Sequence, residues 1–319
     1  MSMPSDAVDA FEAQRPRLFA LAYRLLGSAS EAEDAVQEAF IRWHQADRSS
    51  VRTPAAWLTT VVTRLCLDEL GSARSRRESY VGPWLPEPVL TSTPDRALGP
   101  LETVEQRDSV SIALLAMLER LTPSERAVYV LKEAFGYSHR DIAEILDVSE
   151  ANCQQLHHRA AKHLADRPRF AADPDHWRRI TETFFAATQD GEGLGGLERL
   201  LSDDVVAWAD SGGTVTAARR PIQGNAKVAR YLGRGILHLS PENLARLGRR
   251  ATIHAAQINA RPGLVVFLDG ALFACLVIDM DDGLISALHI LANPAKLGFA
   301  AAQLRDIDLG RPLASLTIE

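Results

Sequence analysis

Residues Leu121–Leu164 read LTPSERAVYVLKEAFGYSHRDIAEILDVSEANCQQLHHRAAKHL, and the fold of the middle of the chain follows from this stretch. Thr122-Pro123-x-Glu125 joins a capping box to a proline at the first helical position, which predicts a helix from Pro123 onward. Ser138-x-x-Asp141 opens a second, short helix carrying Ile142, Ala143, Ile145 and Leu146. Asp147-Val148 turns the chain, and Ser149 caps a third helix. Two helices joined by so tight a turn, with apolar residues on both sides of it, make a helix-turn-helix.

On a helical wheel of about 100° per residue, Leu156, Ala160, Cys153, Leu164 and Asn152 of the third helix share the arc expected to pack inward. Gln154, Gln155, His158, Arg159 and Lys162 fall on the opposite side. Glutamine can pair bidentately with adenine, arginine with guanine, and lysine or histidine with phosphate, so this set suits DNA. A merely solvated face is the alternative; a short capped helix ahead of a tight turn favours DNA. Cys153, on the inner arc, is expected to serve packing rather than redox chemistry.

Upstream, Phe11–Leu70 is also helical. Ser30-x-x-Glu33 is a capping-box pattern, and Ala32, Ala35, Val36, Ala39, Phe40 and Trp43 follow at the spacing of one buried stripe. Asp34, Gln37, Glu38 and Arg42 lie opposite. Asp47–Pro54 (DRSSVRTP) predicts a polar loop, and Ala55–Leu70 a helix ended by Gly71. Residues 72–107 lose periodicity. Pro83, Pro86, Pro88, Pro94 and Pro100 mark a linker there, with the apolar pair Trp84-Leu85 inside WLPEP.

Downstream, residues 173–299 change character. Trp177, Ile180, Thr181, Phe184, Phe185 and Thr188 line one amphipathic helix. Strand-like runs follow at Val205–Ala209, Thr214–Ala218, Thr252–Ile258, Leu264–Leu268, Leu272–Asp279 and Leu284–Leu291. Arg261-Pro262-Gly263, Asp269-Gly270 and Asp282-Gly283 supply turn signals. The pattern predicts an α+β domain with an antiparallel sheet, and 300–319 is left as a tail.

The chain has 319 residues, 46% of them apolar and 24% charged, which excludes wholesale disorder and suggests two or three domains. A net charge of −6 taken alone points away from nucleic acid. Resolved along the chain, Glu31–Glu38 holds four acids and no base, while Arg48–Arg77 holds six arginines against Asp68 and Glu69. Cys66, Cys153 and Cys275 form no C-x-x-C pair, which argues against a zinc ribbon or a disulfide framework and fits a reducing compartment. No signal peptide pattern opens the sequence. The apolar run Gly263–Met280 is broken by Asp269-Gly270, as two strands and a turn would be. A soluble, cytoplasmic protein with no membrane, metal or cofactor requirement is expected.

The first two blocks resemble bacterial sigma factors of the extracytoplasmic-function (ECF) group, which keep only regions 2 and 4. SEAEDAVQEAFIRWHQ is similar to the region 2 helix that grips the β′ clamp of RNA polymerase, and PAAWLTTVVTRLCLDEL to the helix that handles the −10 element. Leu121–Leu164 is similar to region 4, which reads the −35 element and meets the β flap. The third block resembles the cone-shaped SnoaL-like, NTF2-like domain fused to sigma factors of the SigJ-like subgroup. WLPEP matches that subgroup. NPAKL (Asn293–Leu297) resembles its NPDKL signature with Ala295 for the acid, and DSGGT (Asp210–Thr214) resembles DGGGK without the middle glycine and the lysine.

The resemblance implies region 2 at 10–71, a linker at 72–107, region 4 at 108–167 and the SnoaL-like domain at 173–299. It implies polymerase contact through Asp34, Gln37 and Glu38, where an acidic face suits a basic partner. It places −10 DNA at Arg48, Ser49, Arg52, Trp57, Arg64, Arg76 and Arg77, and −35 DNA at Gln154, Gln155, His158, Arg159 and Lys162. Trp57 is either a stacking platform for an unstacked base or a core residue. Trp84, Leu85, Pro86, Asp210, Gly212, Gly213, Asn293, Pro294, Lys296 and Leu297 are implied to carry regulation in cis, with no separate anti-sigma factor.

Folds of the cone type also house cyclases and isomerases, which sets a competing expectation. Asp210, His254, Asp279 and His289 are the candidate acid–base groups and Trp208 an apolar wall, with Trp208, His254 and His289 marking a candidate pocket. His289 alternates with Ile285, Ala287 and Leu291, on a face expected inside the cone. No pair among them has a spacing that compels catalysis, and fold likeness alone confers none. A promoter-specificity subunit without enzymatic activity is the expected function; a cyclase or isomerase fused to a DNA-binding module is the alternative.

Overall fold

The structure is a computed structural model that describes residues 5–47, 49, 51–78, 80–91, 98, 104–165, 177–189, 194–238 and 249–316. The chain divides into two units, Met1–Ser79 with Asp95–Pro168, and Tyr80–Pro94 with Arg169–Glu319. Described helices of the first unit are α1 (Ser5–Glu12), α2 (Arg15–Leu26), α3 (Ala29–Gln45), α4 (Pro54–Glu78), α5 (Val104–Asp108), α6 (Ile112–Leu118), α7 (Pro123–Glu133), α8 (His139–Leu146) and α9 (Glu150–His163).

Local chemistry sets these helix ends. Gly27 closes α2 at φ 69°, a left-handed conformation that glycine adopts without a Cβ penalty. Ser28, not Ser30, caps α3, its Oγ accepting the Glu31 N–H at 3.1 Å. Of the predicted stripe, Ala32, Val36, Ala39 and Trp43 are buried, joined by Ala29, while Ala35 and Phe40 are half-buried. Gly71 does not stop α4. An exposed glycine costs a helix only about 1 kcal/mol, and the Ala- and Arg-containing run after it favours continuation to Glu78. Both capping boxes of the helix-turn-helix form, at Thr122/Glu125 and Ser138/Asp141. Asp147 ends α8 at φ 56°, which lets Ser149 begin α9 two residues later.

Within this unit α2 and α4 pack on α7, and α4 also packs on α8. Arg17 stacks on Phe135 and Tyr137, with centroid distances of 5.2 and 5.6 Å, and Arg24 on Phe135 at 5.4 Å. The Tyr137 hydroxyl lies 3.3 Å from Thr59 Oγ1. Arg126 of α7 is fully buried and ion-paired to Glu119, with Cys66 and Glu31 as electrostatic neighbours. Burial holds its guanidinium below the ordinary arginine range.

The second unit is built on a seven-stranded sheet of order β2-β1-β6-β5-β4-β3-β7. Its strands are β1 (Leu201–Asp210), β2 (Ile222–Gln223), β3 (Ala251–Ile258), β4 (Arg261–Leu268), β5 (Ala271–Asp281), β6 (Leu284–Leu291) and β7 (Ala314–Leu316). The helices α10 (Trp177–Gln189), α11 (Leu194–Glu198) and α12 (Asn225–His238) belong to the same unit. Phe184, Leu197 and Val228 pack with Ala207, Ile253, Leu276, Ile278 and Leu288 into one apolar core on one sheet face. The sheet is mixed rather than wholly antiparallel, because β1 runs parallel to β6.

Several expectations are corrected here. Thr214–Ala218 is not a strand, because Gly212 and Gly213 at φ 57° and 78° turn the chain after β1. The β3–β4 turn is Asn259-Ala260, both at positive φ, and Arg261-Pro262-Gly263 lies in β4. Pro262 precedes the first β4–β5 pair, Gly263↔Val277, so its missing N–H costs no ladder bond there. Asp269-Gly270 and Asp282-Gly283 do form turns, with positive φ at all four residues. Residues 300–319 are not simply a tail: Gly298–Gln303 is helical and β7 pairs with β3.

Residues 80–91 are not a free linker. Leu85–Leu90 are buried, and Leu90 forms an antiparallel bridge with Ile258. The Asn259 N–H donates to the Val89 carbonyl, and the Thr91 N–H to the Gln257 carbonyl, each at 2.8 Å. The segment thus extends the part of the β3 edge that β7 leaves open, and forms a strap in the second unit.

Candidate nucleic-acid interface

The exposed face of α9 carries Gln154, Gln155, His158, Arg159 and Lys162, while Cys153, Leu156 and Ala160 are buried. Asn152, expected on the inner arc, is exposed in the first turn, where its N–H meets Ser149 Oγ at 3.2 Å. Ala151, Gln154, Gln155, His158 and Arg159 line a shallow, open depression. Arg159 differs from its neighbours: its Nε lies 3.3 Å from Glu125 Oε1, a carboxylate that is 6% exposed. Burial acts to raise the Glu125 pKa. Hydrogen bonds from Thr122 and the charges of Arg159 and His163 outweigh it and hold the carboxyl below its ordinary value.

On α3, Asp34 and Gln37 are exposed, and the half-exposed Glu38 pairs with Arg42 at 2.9 Å. Ile41, 43% exposed, follows Asp34 and Gln37 along the same side of the helix. Its position seven residues after Asp34 could have marked it in the sequence. In the loop after α3, Ser49 Oγ and N–H both donate to Asp47 Oδ1, at 2.7 and 3.1 Å. Arg52 and Arg64 are exposed. Arg48 and the side chains of Arg76 and Arg77 lie outside the described residues. Trp57 is half-buried with its ring 5.5 Å from Trp43, so one side packs against the core residue Trp43. Thr59 and Thr63 of α4 are buried.

The motif residues of the second unit converge on Asp210, which is 1% exposed. Its carboxylate accepts the Tyr80 hydroxyl at 2.5 Å, the Leu85 N–H at 2.9 Å and the Gly212 N–H at 3.1 Å. Lys296 Nζ lies 2.7 Å from Asp210 Oδ2 and donates to the Leu85 carbonyl at 2.6 Å. The same ammonium sits 4.2 Å from the Trp84 ring centroid and 4.7 Å from that of Tyr80. Asn293 Nδ2 donates to the Tyr80 oxygen at 2.7 Å, and its Oδ1 caps the turn Pro294–Lys296. A Cβ on Gly212 would stand 2.5 Å from Asn293 Nδ2, and one on Gly213 would stand 3.4 Å from Val81. Burial, followed by the hydrogen bond to Asp210, raises the Tyr80 pKa, so the phenol stays protonated and donates. Leu297 is buried beside this group in sequence. Tyr80 was not singled out in the sequence, and nothing in its spacing marks it.

Trp208, His254 and His289 lie on the sheet face turned away from the α10–α12 core. Strand alternation requires this, since Ala207, Ile253, Leu288 and Ile290 face that core. His289 Nε2 meets Asp279 Oδ2 at 2.9 Å, Arg261 Nε meets Asp279 Oδ1 at 3.2 Å, and Trp208 stacks on His289 at 5.1 Å. Asp279, His289 and Arg261 are all buried. His254 contacts the Phe267 ring edge-on. Burial lowers its pKa, and a hydrogen bond with the Gly310 backbone acts against that. Asp279 is therefore a buried carboxylate matched by a guanidinium and an imidazole. Among the described residues no cluster of His, Cys, Asp or Glu suits a metal ion, and no helix is long and apolar enough to cross a membrane.

Known proteins agree with this organisation. The Sigma-70 region 2 family matches residues 10–76, and the Sigma-70 region 4 family matches residues 111–164. The ECF RNA polymerase sigma factor SigJ of Mycobacterium tuberculosis is 37% identical over 295 residues, covering 91% of this chain and 92% of the relative. The probable ECF RNA polymerase sigma factor SigI of the same species is 33% identical over 311 residues, covering 95% and 99%. The crystal structure of M. tuberculosis SigJ superposes with a TM-score of 0.70 at 34% identity, covering 91% of this chain and 98% of that one. With two sigma regions in order, a mixed-sheet domain after them and relatives matched nearly end to end, the chain belongs to the ECF RNA polymerase sigma factors, a family of transcription factors and not of enzymes.

Proposed function

We propose that this sigma factor directs core RNA polymerase to promoters whose −35 element is read by α9 and whose −10 element is handled by the α3–α4 loop and α4. Residues 10–71 and 108–167 act as regions 2 and 4. Asp34, Gln37 and Glu38 contact the polymerase clamp, and region 4 meets the β flap. Arg48, Ser49, Arg52, Trp57, Arg64, Arg76 and Arg77 serve the −10 strand. Exposure of Asp34, Gln37, Arg52 and Arg64 supports those roles, as does a half-buried Trp57 with one side against Trp43.

We further propose that the C-terminal domain regulates the protein in cis, without a separate anti-sigma factor. The observation that carries this is the convergence of Tyr80, Trp84 and Leu85 with Asp210, Asn293 and Lys296. The strap lies in sequence between regions 2 and 4, so holding it takes up slack in their connection. About twenty residues separate Thr91 from Ser111, a span of at most ~70 Å when extended. Release of the strap lengthens the reach of region 4, and a tethered partner reseats at high effective concentration.

Run-off transcription with core polymerase tests both proposals, comparing the full chain with Asp210→Asn. Polymerase-dependent initiation by the full chain, altered in yield or promoter choice by Asp210→Asn, is expected. No initiation by either protein would overturn the promoter assignment; identical transcription by both would overturn regulation through the strap.

A further inference from the structure

Resting on the assignment of α9 to the −35 element, we infer that Glu125 is a positioning residue for promoter reading, holding Arg159 so that its guanidinium presents a fixed fork to a guanine. Gln154, Gln155, His158 and Lys162 have no side-chain hydrogen bond or ion pair among the described residues, whereas Arg159 is tied to α7 through Glu125. The two carboxylate oxygens divide the work. Oε2 accepts the Thr122 N–H at 3.1 Å and the Thr122 hydroxyl at 2.8 Å, while Oε1 lies 3.3 Å from Arg159 Nε.

The choice of donor matters. Nε is the guanidinium nitrogen placed in ion-pair range of Glu125, at 3.3 Å, which leaves the two terminal nitrogens for the O6 and N7 acceptors of one guanine. The Arg159 side chain is 57% exposed and borders the depression on α9, so its tip is accessible from the DNA side. Glu125, 6% exposed, is shielded from solvent. A free arginine loses considerable rotamer entropy when it docks; a braced one has already lost part of it. One carboxylate therefore caps α7 and orients a reading residue on the recognition helix.

The experiment uses holoenzyme, the full chain with core polymerase. A randomised −35 library is selected by the wild type, and each guanine of the winning promoter is then replaced singly by 7-deazaguanine. Arg159→Ala is expected to lose discrimination at one guanine. Glu125→Gln, which keeps an acceptor for Thr122, is expected to lower discrimination at that guanine about three- to tenfold and to add nothing in the Arg159→Ala background. Glu125→Asp, one methylene shorter, is expected to act in the same direction should the glutamine variant fold poorly. Thr122→Ala weakens the cap but leaves the ion pair, so it is expected to lower stability without changing base discrimination. Unchanged discrimination in Glu125→Gln and Glu125→Asp beside a loss in Arg159→Ala would overturn the positioning role alone. No guanine affected by Arg159→Ala would instead overturn the assignment of α9 on which it rests.

Discussion

Replacing Asp210 by asparagine removes the charge that holds the strap while changing almost no volume. The buried carboxylate accepts Tyr80, Leu85 and Gly212 and neutralises Lys296, whose side chain is 9% exposed. An asparagine offers one acceptor oxygen and leaves the ammonium without its counter-ion. Removing one partner of a buried pair typically costs about 3–5 kcal/mol, because the remaining charge stays desolvated. The contacts of Lys296 with the Trp84 and Tyr80 rings are common to wild type and variant and cancel in the difference. A loss of about 3–5 kcal/mol corresponds to a roughly 150- to 5,000-fold rise in strap opening. Hydrogen exchange reads this directly, since the Leu85, Val89 and Leu90 amides are bound by Asp210, Asn259 and Gln303. Faster exchange is expected at Leu85 first and then at Val89 and Leu90, with the α8 and α9 amides unchanged. Protection at Leu85 equal to wild type in Asp210→Asn would refute the claim that this ion pair anchors the strap.

Other consequences follow from the same geometry. Gly212→Ala forces a Cβ into Asn293 and a side chain to φ 57°, so a loss of about 1–3 kcal/mol is expected in thermal melts, partly restored by Asn293→Ala. Ser149→Ala removes the α9 cap at a cost of about 1 kcal/mol and is expected to weaken −35 DNA use in transcription assays while leaving polymerase association intact. Asp34→Lys and Ile41→Ser are expected to weaken association with core polymerase in a pull-down or titration, without altering the melting temperature. The Glu125 carboxyl is held below its ordinary pKa of 4.5, so its contribution is complete above that value and is lost as pH falls through the lower folded-state pKa. Melting curves of Glu125→Gln are thus expected to fall less steeply with acid than those of wild type.

A truncation at Arg167 would change more than the C-terminal domain alone. It removes the β3 edge, Asp210 and Lys296 but keeps Leu85, Val89 and Leu90, which are at most 2% exposed in the whole chain. Those side chains would then be exposed on a segment with no partner.

Much of the first unit was legible because its signals are local. Thr122/Glu125, Ser138/Asp141 and Ser149 each act over three residues, and the α9 wheel separates buried Cys153, Leu156 and Ala160 from the exposed set. The misplacements are equally local: Ser28 and Ser30 are interchangeable as signals, and a glycine at 71 is tolerated inside a helix. In the second unit the Asp-Gly turns were readable because each needs positive φ within two residues. Asn259-Ala260 was not, since alanine rarely adopts φ 58° and only the pairing of β3 with β4 holds it there.

The sequence by itself determined the helix-turn-helix, its caps, the strand alternation and, by resemblance, the motif residues of the C-terminal domain. Tertiary structure alone decided what those motifs do to one another. Tyr80 meets Asp210 across 130 positions and Lys296 meets Leu85 across 211, and no periodicity or spacing encodes such a separation. It decided that Glu125 reaches Arg159, and that His289 faces away from the helix-covered core. A turn or cap is set by the few dihedrals it contains, whereas a long-range contact exists only once the whole sheet has brought its ends together.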